Sequence, residues 1–243
     1  MTVKISIVTI TFNLLKAGRR ETFRQNVDSV LNQTYQNVEH IIVDGASTDG
    51  TVDLIRSCEH DRMRWISEPD HGIYEAMNKG LHLATGDYVL YLNSDDFLCR
   101  PDGMASCARL LEETDADFLY APNRALRAGT ERVYKINEPC VGSYLVRMPF
   151  SHQALLVKRD KMLELGGFDE NFKSAGDYDF VIRLINSGAR GVYNPNEFST
   201  FRDGGFSQTD GELSQKECGI SYRKNFGHLS PKYRWMDMLF KKH

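Results

Sequence analysis

The first hundred residues alternate apolar strand-like runs with helical patterns four times, and every run ends in a polar cluster. Ile5 to Ile10 (ISIVTI) is β-branched and nearly all apolar, as in a strand covered on both faces, and it stops at Thr11-Phe12-Asn13. A helical pattern follows through Phe23, Val27, Val30 and Leu31. The next run, His40 to Val43, leads into Asp44-Gly45-Ala46-Ser47-Thr48-Asp49-Gly50 and a short helix holding Val52, Leu54 and Ile55. Arg64-Trp65-Ile66 enters a loop punctuated by Pro69 and Gly72 that carries Asp70. Ile73, Met77 and Leu81 then mark one helix face, with Glu75, Asn78 and Lys79 on the others. The fourth run, YVLYLNSDD, closes on Asn93-Ser94-Asp95-Asp96.

Such alternation predicts an α/β fold with a mostly parallel central sheet flanked by helices. In that arrangement the strand C-termini share one edge, where an open α/β sheet keeps its ligand crevice. Thr11 and Asn13, Asp44 and Ser47, Asp70, and Asn93 with Asp95 and Asp96 are therefore expected at one crevice. Turn chemistry alone also places polar residues in loops. Asp95 and Asp96 repel each other unless a cation or hydrogen-bond donors hold them. A hard divalent cation that keeps several waters and binds phosphates needs only one or two carboxylates. An Asp-rich turn is the alternative.

The second half is less regular. Pro101 to Glu113 reads as a helix and Asp117 to Tyr120 as a strand, while residues 123–137 mix arginines with few apolar anchors, as in a hairpin or mobile excursion. His152-Gln153 leads into a strand from Ala154 to Val157, and Lys158 to Gly167 reads as a short helix ended by paired glycines. Asp177 to Ser187 is a helix burying Val181, Leu184 and Ile185. The tail from Glu212 to His243 carries Trp235, Met236, Met238, Leu239 and Phe240 before Lys241 and Lys242.

A net charge of -3 gives no global argument for a nucleic-acid partner. Five scattered cysteines without CxxC spacing suit free thiols in a reducing compartment. The N-terminus enters a strand at once without a signal-peptide pattern, and no apolar run reaches the length of a membrane span. These features predict a cytoplasmic protein. Residues 231–243 are a candidate for peripheral contact with the inner face of the cell membrane, and docking on the domain or on a second subunit, as in a homodimer, is the rival role for them.

The segments ISIVTITFN, IIVDGASTDGT, SEPDHGIYEAMNKGLHLATGDYVLYLNSDD and GGFDENFKSAGDYDFVIRL, with HQALLVKR and FRDGGFSQ, occur in the order and spacing of one known family. Across roughly residues 3–208 the chain resembles the inverting family-two glycosyltransferases of GT-A fold, including members that build bacterial surface polysaccharides. The resemblance implies a catalytic domain over 1–208, with a nucleotide-sugar-binding half (1–98), an acceptor-binding half (99–208) and a helical extension over 209–243. It implies transfer of one hexose from a nucleoside diphosphate sugar, a UDP-sugar by preference, to a glycan or lipid-linked glycan acceptor, assisted by Mn²⁺ or Mg²⁺. Position by position, it places Thr11, Phe12, Asn13, Asp44, Ser47, Asp70, Asn78 and Asp95 at the nucleotide sugar. Asp96 becomes the direct metal ligand with Asp95 beside it, Asp177 the catalytic base, and His152 and Gln153 the start of the acceptor side. Helix capping is the structural alternative for Asp177, and a satisfied structural histidine the alternative for His152.

The chain departs from the family pattern at two acids. The strand-two turn keeps only Asp44, because Gly45 follows it, and Gly176 stands where a Glu usually precedes the base. Asp179 is a candidate substitute partner for the base or a helix cap. The isolated Arg234-Trp235 lacks the Gln of the processive-synthase motif, so single transfer is expected rather than polymerisation. A nucleotidyltransferase and a catalytically silent sugar-nucleotide-binding or scaffold protein are the rival readings.

Overall fold

Ile5, Ile7, Ile41, Ile42 and Val43 are completely buried, which consecutive strand residues achieve only when helices cover both sheet faces. The computed structural model describes residues 2–127, 130–132, 148, 150–202 and 211–227. Its first part runs β1 (Ile5–Thr11), α1 (Arg20–Leu31), β2 (Val38–Asp44), α2 (Thr51–Ser57), β3 (Met63–Ser67), α3 (Ile73–Leu83) and β4 (Tyr88–Tyr91). It continues through β5 (Phe97–Leu98), α4 (Gly103–Thr114), β6 (Phe118–Tyr120), β7 (Arg124–Arg127), β8 (Thr130–Arg132), a 3₁₀ turn (His152–Ala154), β9 (Leu155–Lys158), α5 (Arg159–Glu164), α6 (Gly176–Asn186), β10 (Gly191–Tyr193), β11 (Ser199–Arg202) and α7 (Gly211–Phe226).

The central sheet has seven strands in the order β10-β6-β9-β4-β1-β2-β3, and only β9 runs antiparallel to its neighbours. One core cluster packs α3, α5 and α6 against one face, through residues such as Met77, Met162 and Phe180. On the other face Val30 of α1 and Met104, Cys107 and Leu111 of α4 pack against Ile5, Ile7, Leu90 and Leu156. Beneath the sheet edge Glu39 is a buried carboxylate. Burial pushes its pKa up, but donors from Ser6, Thr85 and Lys4 outweigh that and bring it down to about 2.

A smaller sheet, β5-β11-β7-β8, was not apparent in the sequence. The expected hairpin is represented by the antiparallel pair β7 and β8, and residues 128–129 and 133–137 lie outside the described residues. Among the described residues no helix is long and apolar enough to cross a membrane. The expected limit at 208/209, the glycines Gly204 and Gly205 and the 231–243 tail lie outside the described residues. Helix α7, beyond that limit, packs on α6 through Glu217, Ser221 and Asn225.

Candidate active site

Sheet register assembles the first side of the site. Thr11 pairs with Asp44 and Asp44 with Ser67, so three strand ends form a row. Asp44 lies fully buried in its middle. Its carboxylate accepts from Thr11 Oγ1 (2.9 Å), Ser67 Oγ (2.7 Å), Ser47 Oγ (2.6 Å) and the Ser47 amide (2.9 Å). The Asn13 amide donates to Ser47 Oγ at 2.7 Å, and Asn13 Oδ1 accepts from the Thr48 amide at 3.1 Å. Asn13 and Ala46 both have positive φ, 46° and 57°, so the two turns hold non-glycine residues in a conformation they rarely adopt.

Phe12 is 64% exposed at the end of this row, an unusual place for an aromatic ring. A Cβ on Gly45 would lie 2.5 Å from Asp70 Oδ2 and 3.2 Å from the Phe12 ring. The carboxylate of Asp70 thus occupies the space a side chain at position 45 would need. Burial raises the pKa of Asp70 against the pull of the Gly72 amide.

The end of β4 forms the second group. Asn26 Nδ2 donates to the carbonyls of Asn93 and Asp96, both at 2.9 Å, fixing the turn. Asp96 is 1% exposed, and each of its oxygens has a protein donor: the Arg202 amide at 2.8 Å and Gln153 Nε2 at 2.9 Å. Burial, then the adjacent Asp95 charge, pushes its pKa up to about 7. The Asp95 side chain stays partly open and pairs with Arg19 at 3.1 Å, while its carbonyl accepts from Arg202 Nε at 2.6 Å. Of the two carboxylates expected at a metal, Asp95 is thus the more open, while Asp96 is buried with one donor on each oxygen.

Asp177 supplies the third group. It sits in the first turn of α6, whose N-cap is Ala175, and its Oδ1 accepts from the next amide, Tyr178, at 2.9 Å. That is not the bond of an N-cap side chain. Oδ1 also faces Tyr74 Oη at 3.3 Å, and Oδ2 pairs with His152 Nδ1 at 2.9 Å. His152 Nε2 reaches Asn93 Oδ1 at 3.4 Å. The 3₁₀ turn is therefore a clasp: His152 holds Asp177 while Gln153 holds Asp96.

Asn78 is not brought to this set. Its amide donates to the Phe168 carbonyl and Glu170 and accepts from the Phe168 amide. Asp179 neither partners Asp177 nor caps α6; it is fully buried and binds Arg183, Ser221 and Asn225. Sequence reasoning missed Arg19, Tyr74, Arg202 and Glu217. Arg202 lay within the FRDGGFSQ segment and Tyr74 within the segment that begins SEPDHGIY, but neither was singled out, and nothing distinguished Arg19 and Glu217 from surface or core positions. Among the described residues no group of three or more His, Cys, Asp or Glu forms a metal cage.

Residues 6–168 match the profile of Glycosyl transferase family 2. An uncharacterized glycosyltransferase of Mycobacterium tuberculosis is 32% identical over 186 residues, covering 74% of this chain and 68% of that protein. Among solved structures, S. aureus TarS in complex with UDP-GlcNAc superposes with a TM-score of 0.70 at 16% identity, over 98% of this chain and 70% of that one. The mannosyltransferase PcManGT from Pyrobaculum calidifontis, in complex with GDP-Man and Mn2+, gives 0.69 at 18% identity, over 97% and 68%. At these identities the two structures speak for the fold alone, which is GT-A. Sequence, fold and the polar strand-end crevice agree: the chain belongs to glycosyl transferase family 2 and is a glycosyltransferase.

Proposed function

We propose that this chain transfers one hexose, with inversion, from a nucleoside diphosphate sugar to a hydroxyl of a glycan or lipid-linked glycan. The observation that carries the reading is the clasp at His152-Gln153, which joins a carboxylate of the strand-end crevice to one at a helix start. The nucleotide would lie along the β1, β2 and β3 ends, with its base against exposed Phe12 and Asp70 accepting a base N–H. UDP is the favoured nucleotide.

Asp177 serves as base. It takes the acceptor hydroxyl proton as that oxygen bonds to the anomeric carbon and the bond from that carbon to the diphosphate breaks. A carboxylate has about four lone-pair sites, and the described donors to Asp177 leave one for this proton. Inversion needs only this one base, unlike two-carboxylate hydrolysis.

The site fits a divalent ion held by one carboxylate and the donor phosphates. Asp95, partly open and beside Arg19, is the residue that would hold it, and Asp96 would position the turn from behind. When bound, Mn²⁺ or Mg²⁺ supplies Lewis-acid charge at the departing diphosphate.

The 2.9 Å contact between His152 and Asp177 favours a second reading, in which Asp177 orients His152 as the base. Because Nε2 already faces Asn93, Asp177 is the better candidate. His152→Gln should keep measurable turnover under the first reading and lose it under the second. Donor binding is tested by thermal stabilisation across a panel of nucleotide sugars with and without Mn²⁺. A metal-dependent shift selective for a UDP-sugar is expected, and no shift with any nucleotide sugar would overturn the reading.

A further inference from the structure

Helix α6 carries the proposed base, yet its N-cap is Ala175, which has no side-chain acceptor for the free amides of the first turn. The chain leading into the helix is instead held from elsewhere in the fold. The buried carboxylate of Glu217 on α7 accepts from the amides of Lys173 (2.9 Å), Ser174 (2.8 Å) and Ala175 (2.9 Å). The hydroxyl of Tyr74 donates towards Asp177 Oδ1, with the two oxygens 3.3 Å apart. A Cβ on Gly176 would meet three Tyr74 ring carbons at 2.8, 2.8 and 2.9 Å. The ring therefore lies flat on the backbone where a side chain at 176 would stand.

Tyr74 is 3% exposed, at the start of α3, four residues after Asp70. Lys173 ties the intervening loop to the approach of α6, donating through Nζ to the His71 carbonyl at 3.0 Å. A single short segment thus fills the side-chain space of Gly45 with Asp70 and that of Gly176 with Tyr74.

We propose that Tyr74 is a positioning residue for Asp177, fixing the carboxylate rotamer through its hydroxyl, with Gly176 required by its ring. The inference rests on the reading of Asp177 as base. Burial, then the Asp177 charge, pushes the Tyr74 pKa well above its usual value, so the hydroxyl remains a donor throughout the working pH range. His152 holds Oδ2 and Tyr74 holds Oδ1, leaving the carboxylate no freedom to swing away from the acceptor. A group aligned in advance reacts faster because its ordering cost is met before the reaction.

The test is Tyr74→Phe, which keeps the ring and removes the hydroxyl. The expected result is a fall in kcat of about tenfold, the usual size for one lost hydrogen bond, with donor KM unchanged. An unchanged kcat, or an effect confined to donor KM, overturns the proposal. Gly176→Ala displaces the ring and should reproduce the kcat loss. Because both changes act on one contact, the double variant should be no slower than Gly176→Ala alone, whereas multiplying effects would contradict the proposal. Asp177→Asn in the same assay separates the two levels: full turnover there removes the base reading itself. Lost turnover there beside a normal Tyr74→Phe removes only the role given to Tyr74.

Discussion

The two sides of the proposed site, a donor side and a base side, are built by different means. On the donor side, β1, β2 and β3 lie next to one another, and backbone register alone brings Thr11, Asp44 and Ser67 into line. On the base side, Asp177 begins a helix with no cap of its own, and side chains distant in sequence, Tyr74, His152 and Glu217, hold it or its helix start. A site assembled by register is rigid because the sheet is, whereas one assembled by side chains is adjustable one contact at a time.

Substitutions test this contrast. The largest effect is expected from Asp95→Ala, which should remove the metal-dependent part of donor affinity, about 10³-fold or 4 kcal/mol, in calorimetric titrations with UDP-sugar and Mn²⁺. Asp96→Asn should retain that metal dependence; its loss there would restore Asp96 as the direct ligand. Next comes the sheet itself, at the end of β2 away from the site. The pKa of Glu39 is brought down from 4.5 to about 2 on folding, so its contribution is fully present above pH 4.5 and disappears as pH falls towards about 2. That contribution is on the order of 3 kcal/mol. Denaturant unfolding of Glu39→Gln between those pH values should lack this acid-dependent component.

On the base side, Glu217→Gln removes the charge that holds three amides and should cost about 1–3 kcal/mol of stability. It should lower kcat with little change in donor KM; a donor KM that rises with it would show that the two sides are not separate. Smallest is Phe12→Ala, where lost base stacking, about 1–3 kcal/mol, should raise donor KM and leave kcat near the parent value.

Local pattern explains what the sequence made legible. β1 and β4 are continuous apolar runs, β2 and β3 shorter ones, and between them lie helices; their polar ends fall along one sheet edge. β5, β10 and β11 are two to four residues long with few apolar positions, too short for periodicity to mark. The sense of Asp95 and Asp96 was equally hidden. Which carboxylate turns inward depends on Gln153 and Arg202, which are 57 and 106 residues from Asp96. Tyr74 meets Asp177 across 103 residues, and Glu217 reaches the α6 start across 42 to 44. The glycines at 45 and 176 read as lost acids in one dimension. In three, each has its side-chain space taken by a residue of the same short loop and helix start.

The separation of donor side from base side is tested most directly by Asp177→Asn, with donor affinity and turnover measured on the same preparation. Nucleotide-sugar affinity should stay within about twofold of the parent, and turnover should fall by about 10²–10⁴-fold. Turnover preserved in this variant, or donor affinity lost together with it, would contradict the account.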